Sequence, residues 1–138
     1  MNDLQLQVAK LKEKIAPEYM QVIQVDEGWY QLIIDCDREL SLFDPQYKII
    51  QVKEKFGELR YYVKPSETCY EPRRMQEIIA KYEAIASKTC EATGKPGVLM
   101  KSIGGWYKTL NPEYAASTLH YAKYSEVNKM TKDTEESL

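Results

Sequence analysis

Hydrophobic positions change period several times along this chain, and each change marks an element. Leu4, Val8, Leu11 and Ile15 recur at helical spacing with Lys and Glu between them, which predicts an amphipathic helix over residues 3–15. Asn2 or Asp3 can cap its start, and Pro17 follows its end. The stripe spans less than two heptads, too little for a self-standing coiled coil, so it packs on the domain or on a second copy. Residues 18–25 read as a short strand. Residues 27–42 return to helical period through Trp29, Leu32, Ile33, Cys36 and Leu40, with Asp26 as N-cap and Asp44-Pro45 as the stop.

The clearest local pattern is over residues 48–64. Ile50 and Val52 alternate on one side, and Leu59, Tyr61 and Val63 do the same after Gly57. A four-residue loop, Lys55 to Glu58, pairs Glu54 with Leu59, Val52 with Tyr61 and Ile50 with Val63, which keeps the apolar set on one face. The opposite face then carries Gln51, Lys53 and Lys55 against Tyr62, Arg60 and Glu58. Residues 65–70 are expected as a loop with Cys69 exposed. A long helix follows over 71–90, with Pro72 in its first turn and Met75, Ile78, Ile79, Tyr82, Ile85 and Ala86 on one face. Gly94 to Gly97 reads as a tight reversal, and 98–101 and 106–110 as short strands around Gly104-Gly105. Asn111-Pro112-Glu113 begins a last helix, expected to reach residue 128. The tail over 129–138 has little to bury and is expected to be disordered. The resulting class is α+β: one domain over 1–128, with a small antiparallel sheet whose central hairpin packs against helices.

Composition narrows the function classes. Net charge is -2, from 19 basic and 21 acidic side chains, so binding to nucleic acid by bulk phosphate neutralisation is not expected. No run approaches the ~18 apolar residues of a membrane span, and no secretory pattern opens the chain. Three widely spaced cysteines, Cys36, Cys69 and Cys90, fit a reducing compartment, so the cytoplasm is the expected location. Tyrosine stands out with 11 residues, which suits a core edge or an interface.

Residues 28–116 resemble a widespread family of uncharacterised small bacterial and phage proteins. The resemblance rests on Gly28-Trp29, the run from Gln51 to Tyr62, the run from Cys90 to Gly97, and the run from Gly105 to Asn111. It implies the hairpin architecture and brings no established activity. Members of that family commonly carry four Cys or His residues at the later motifs, a set that resembles a structural zinc knuckle. In this chain the matching positions are Cys90, Thr93, Asn111 and a position near Tyr114. One thiolate cannot hold zinc, so the knuckle is degenerate and no metal or other cofactor is expected. Packing of Trp106 and Leu110 on the Met75–Ala86 helix face, with Asn111 as a cap, is the expected substitute.

No catalytic residue is singled out. His120, the only histidine, has no nucleophile motif beside it, Cys36 lies within an apolar stripe, and Glu54 and Glu58 each have a basic neighbour. The candidate binding surface is the outer hairpin face: Lys53, Lys55, Arg60 and Lys64, with Phe56 at the tip and Tyr62 between them. Arg60 opposite Lys53 is a like-charge pair that an anion would relieve. The leading expectation is a non-catalytic interaction protein of phage or prophage type that modulates a host protein complex in the host cytoplasm, an inhibitor of a bacterial defence system being one form. A nucleic-acid or nucleotide-binding module using the hairpin face is the alternative. A homodimer through the Leu4–Ile15 helix is the third reading.

Overall fold

The computed structural model describes residues 1–118 and 124–127, and its class is α+β. Helix α1 (Asp3–Leu11) begins with a reciprocal cap, in which Asn2 accepts the Gln5 N–H and Gln5 accepts the Asn2 N–H. It tightens into a 3-10 turn at Lys12–Lys14, so the expected helix is two pieces. Val8, Leu11 and Ile15 are buried in the chain's own core, largely against α2 (Tyr30–Phe43). The expected strand over 18–25 contracts to β1 (Ile23–Gln24), because Tyr19 and Met20 lie exposed in a turn.

Strands β2 (Lys48–Lys55) and β3 (Glu58–Lys64) form the hairpin, and β1 adds to β2 in parallel. The first sheet is therefore mixed, in the order β1-β2-β3, where an antiparallel one was expected. Glu54 pairs with Leu59 and Val52 with Tyr61, as the pattern predicts. Two details differ. Lys55 pairs with Glu58, so the turn is only Phe56-Gly57, and a bulge between Ile49 and Gln51 brings Ile49, not Ile50, opposite Val63. The bulge lets Ile49 and Val52 both point inward while Ile50 is half-buried. Helix α3 (Pro72–Ala86) packs on α2 and β3, ending four residues before Cys90. Trp29, Ile33, Cys36 and Leu40 of the second segment, with Met75, Ile79 and Ala86 of the third, close the main core.

Strands β4 (Val98–Ser102), β5 (Tyr107–Leu110) and β6 (Tyr124–Glu126) form a second, antiparallel sheet in the order β5-β4-β6. Its own small core is Cys90, Met100, Leu110 and Ala115. Leu110 therefore packs beneath this sheet and not on α3, while Trp106 points outward. The last helix is also shorter than expected. Helix α4 (Pro112–Ser117) ends after six residues, and Tyr124–Glu126, expected as helix, pairs with β4. His120 and the 129–138 tail lie outside the described residues. No helix among those described is long and apolar enough to cross a membrane.

Close backbone contacts join the two sheets. The Gly28 N–H donates to the Glu91 carbonyl at 2.7 Å, and a Cβ on Gly28 would sit 2.3 Å from the Cys90 carbonyl oxygen. The Trp29 indole donates to the Thr89 carbonyl at 2.8 Å. At the hairpin tip the Thr109 hydroxyl donates to the Gly57 carbonyl at 2.8 Å, inside the structure. These bonds seat the tip against β5.

Candidate functional site

A two-residue turn in a hairpin favours positive φ at both central positions, matching the right-handed twist of its strands. Here φ is 56° at Phe56 and 81° at Gly57. Glycine adopts that region freely; phenylalanine does so at a cost, since Asn and Asp are the side-chain-bearing residues that tolerate it. A Cβ on Gly57 would lie 2.6 Å from Leu99 Cδ1, so a side chain there would also have to push that methyl aside. Glu54 Oε2 accepts the Gly57 N–H at 2.7 Å and closes the turn from below. The result is a rigid tip that holds Phe56, 64% exposed, away from the core.

Facing the tip is the β4–β5 connection. Its backbone is folded by Ser102, whose N–H donates to the Trp106 carbonyl at 2.8 Å and whose hydroxyl accepts the Trp106 N–H at 3.0 Å. Gly105, at φ 88°, completes the reversal. Trp106 is left 74% exposed and Ile103 85% exposed. Between tip and connection lies an open groove of about 570 Å³, walled by Phe56, Trp106, Tyr107 and Tyr124 with Lys55 and Lys108. The Lys55 ammonium lies 5.6 Å from the Phe56 ring centre, and Lys101 lies 5.4 Å from that of Tyr107.

Lys108, at the inner end, belongs to a structural clasp. Its ammonium donates to Asp26 Oδ2 at 3.2 Å and to Glu91 Oε1 at 3.1 Å, while Glu91 Oε2 accepts the Asp26 N–H at 3.0 Å. Burial opposes the charge on Lys108, but Glu91 and Asp26 outweigh it and hold its pKa above the usual lysine value. Burial pushes the Glu91 carboxyl up, against the Asp26 N–H and Lys108. Asp26 does stand at the N-cap position of the 3-10 turn Glu27–Trp29 that leads into α2, but its side chain makes no capping bond and serves this clasp instead.

The predicted hairpin residues separate into two groups. Lys55 and Phe56 reach the groove. Lys53, Arg60, Tyr62 and Lys64 continue along the outer face, and Tyr62 and Lys64 sit roughly 20 Å and more from the tip by strand rise. The like-charge pair of Lys53 and Arg60 is relieved from within: Arg60 bonds Glu58 on its own strand at 3.2 Å. Glu83 of α3 lies near enough for Arg60 to oppose the rise that burial causes in its carboxyl pKa. Trp106, Ile103 and Tyr107 were not foreseen as site residues. The signal was Gly104-Gly105, a pair that lets the chain turn an aromatic outward as readily as inward. Among the described residues no group of three or more His, Cys, Asp or Glu side chains could hold a metal ion.

No protein-family model matches the chain, and neither does any curated protein or solved structure. The functional reading therefore rests on the site's own chemistry.

Proposed function

We propose that this is a non-catalytic interaction protein that grips a partner protein at the groove between the hairpin tip and the β4–β5 connection. The observation that carries the reading is Phe56, kept at a costly positive φ and exposed beside an exposed Trp106. Backbone strain and exposed aromatic area both work against stability, and they coincide on one rigid rim. Rigid aromatic anchors are what dominate protein interfaces energetically. The resemblance to small phage proteins adds a host protein complex as the kind of partner, with inhibition of a defence system as one form. In the same proposal, Asn111 takes over part of the crosslinking that a knuckle metal would give. Its side chain bonds the Pro96 carbonyl and caps α4, and metal analysis of the purified protein tests the point.

The test is affinity capture from a host lysate with the parent, Trp106→Ala and Phe56→Ala. Both side chains are exposed, so the variants are expected to fold, which circular dichroism verifies. Each should reduce specific capture by about tenfold or more. Undiminished capture by both variants would discard the groove as the binding surface.

Nucleic-acid binding by the outer hairpin face is the second reading. Lys53, Lys55 and Lys64 have no ion-pair partner among the described residues, and Tyr62 is 44% exposed beside them. Affinity that falls steeply from low to moderate salt, and that Lys53→Ala weakens, would favour it.

A further inference from the structure

Phe56 and Trp106 border one groove, and Ile103 projects into solvent from the same connection as Trp106. Folded monomers seldom leave a cluster of such side chains bare, so this end of the molecule has the make-up of a surface covered in use. Its charge is balanced. Glu54 and Lys55 stand on the lining with opposite charges, and Lys108 is neutralised by Asp26 and Glu91. Neither a polyanion nor a polycation is drawn to such a wall. Its hydrogen-bonding groups are mixed as well. Among the described residues the Lys55 ammonium has no ion-pair partner and the Trp106 indole N–H has no acceptor. On the same wall, Glu54 uses only Oε2, on the Gly57 N–H, and the Gly104 and Gly105 carbonyls accept no backbone bond.

We propose that the occupant of the groove is a second copy of this chain. Two molecules pack tip to tip about a two-fold axis, each laying Phe56 and Ile103 against the rings of the other's groove, and Lys55 of each copy meets Glu54 of the other. A two-fold interface sets a patch against itself, so the patch must be its own complement. A cation beside an anion, and donors beside acceptors, meet that condition. A segment of one charge would satisfy half of the wall and leave the other half buried and unpaired. The N-terminal helix does not supply the seam, because Val8, Leu11 and Ile15 are spent on the chain's own core. Both turns are already tied, by Glu54 to Gly57 and by Ser102 to Trp106, so little ordering entropy is lost on contact. A contact confined to two turns falls at the small end of interfaces, below ~800 Å² per partner, and the expected Kd is about 10–100 μM. Such a dimer covers the groove in concentrated protein and releases it to a tighter-binding partner. This masking rests on the reading of the groove as the partner-binding surface; the dimer itself does not.

Sedimentation of the full chain from about 1 to 500 μM, with nuclear magnetic resonance over the same dilution, tests the proposal. The mass should rise from monomer to dimer across the expected Kd. The Gly57, Gly105 and Trp106 signals should move in step, while the buried Trp29 indole, bonded to Thr89, stays in place. Trp106→Ala and Ile103→Ser should each weaken association about tenfold. Lys55→Glu sets carboxylates against carboxylates across the axis and should weaken it at least as much, whereas Lys88→Glu, the same change in charge at an exposed lysine after α3, should leave it unaltered. A monomer at every concentration overturns the proposal. So does a dimer that survives both Trp106→Ala and Lys55→Glu, which would lie on another surface, or an oligothymidylate that moves the groove signals when dilution does not. In those cases capture of a partner by the parent and Trp106→Ala still decides the groove reading by itself. Conversely, a Trp106-dependent dimer with undiminished capture by Trp106→Ala and Phe56→Ala keeps the dimer and discards the groove as the partner's surface.

Discussion

Phe56 occupies a position where a folding requirement and a binding requirement pull in opposite directions. A turn with two positive φ angles is best served by Asn-Gly, because Asn adopts the left-handed region at little cost. Phe56→Asn should therefore raise stability by about 0.5–1 kcal/mol, measured by chemical denaturation, even though it removes a large side chain. The same variant should lose partner capture about as severely as Phe56→Ala. A Phe56→Asn protein no more stable than the parent would remove strain from the case for the tip. Gly57 behaves differently. Its φ of 81° strains any side chain, while the 2.6 Å approach of Leu99 Cδ1 to a built Cβ asks only that a flexible side chain shift, so Gly57→Ala costs stability mainly through backbone strain. Neither position can be judged from hydrophobicity, which is why Phe56 reads in the sequence only as an aromatic at a tip. Trp106 is a sharper case. Its large apolar side chain predicted burial, and only the tertiary placement of Gly104-Gly105 turns it to solvent.

Among the elements, the hairpin was legible because its apolar alternation permits one register, and a slip by one residue would expose every core side chain. Its bulge was not, since an extra residue leaves the local pattern readable in two ways. The end of α3 and the brevity of α4 were obscured for a related reason. Apolar residues at helical spacing continue past Ala86, but the Cys90–Gly97 segment folds back on itself: the Cys90 N–H donates to the Lys95 carbonyl, and the Gly94 N–H donates to that of Cys90. Asn111 ties this segment to α4. Its Oδ1 accepts the Tyr114 N–H at 3.1 Å and its Nδ2 donates to the Pro96 carbonyl at 2.9 Å. The two roles can be separated. Asn111→Ala loses both bonds and should cost about 2 kcal/mol, whereas Asn111→Asp keeps a good cap, loses only the Pro96 bond and should cost about half as much. Thermal unfolding of both variants checks the order. Equal losses would mean that one of the two bonds contributes nothing.

Across the whole molecule, buried phenols and a half-buried ammonium contribute to the response to alkali. The Tyr47 hydroxyl donates to Asp37 at 2.5 Å and lies 2.8 Å from the Tyr61 hydroxyl, beneath Lys14, which bonds the same Asp37 oxygen at 2.7 Å. Burial pushes the Tyr47 pKa well above 10.0, and the neighbouring Tyr61 and Asp37 add to the rise. Burial likewise raises Tyr61 well above that value. Lys108 is raised above 10.5 by its two carboxylates, which overcome its burial. All three groups hold their protons more tightly folded than unfolded. Their contribution is fully present below about pH 10 and is lost as the pH climbs toward the folded values, because the unfolded chain ionises first. Stability should therefore be insensitive to these groups at neutral pH and fall above about pH 10, by roughly 1.4 kcal/mol per pH unit for each group. Denaturant melts across that range, with phenolate absorbance followed in parallel, should show buried tyrosines ionising only as the fold opens. Burial also raises Cys36 and Tyr82, so Tyr47→Phe removes one contribution among several and should make the decline shallower by roughly 1.4 kcal/mol per pH unit. An unchanged slope would show that Tyr47 titrates alike in both states, and would dissolve the role of its bonds to Asp37 and Tyr61.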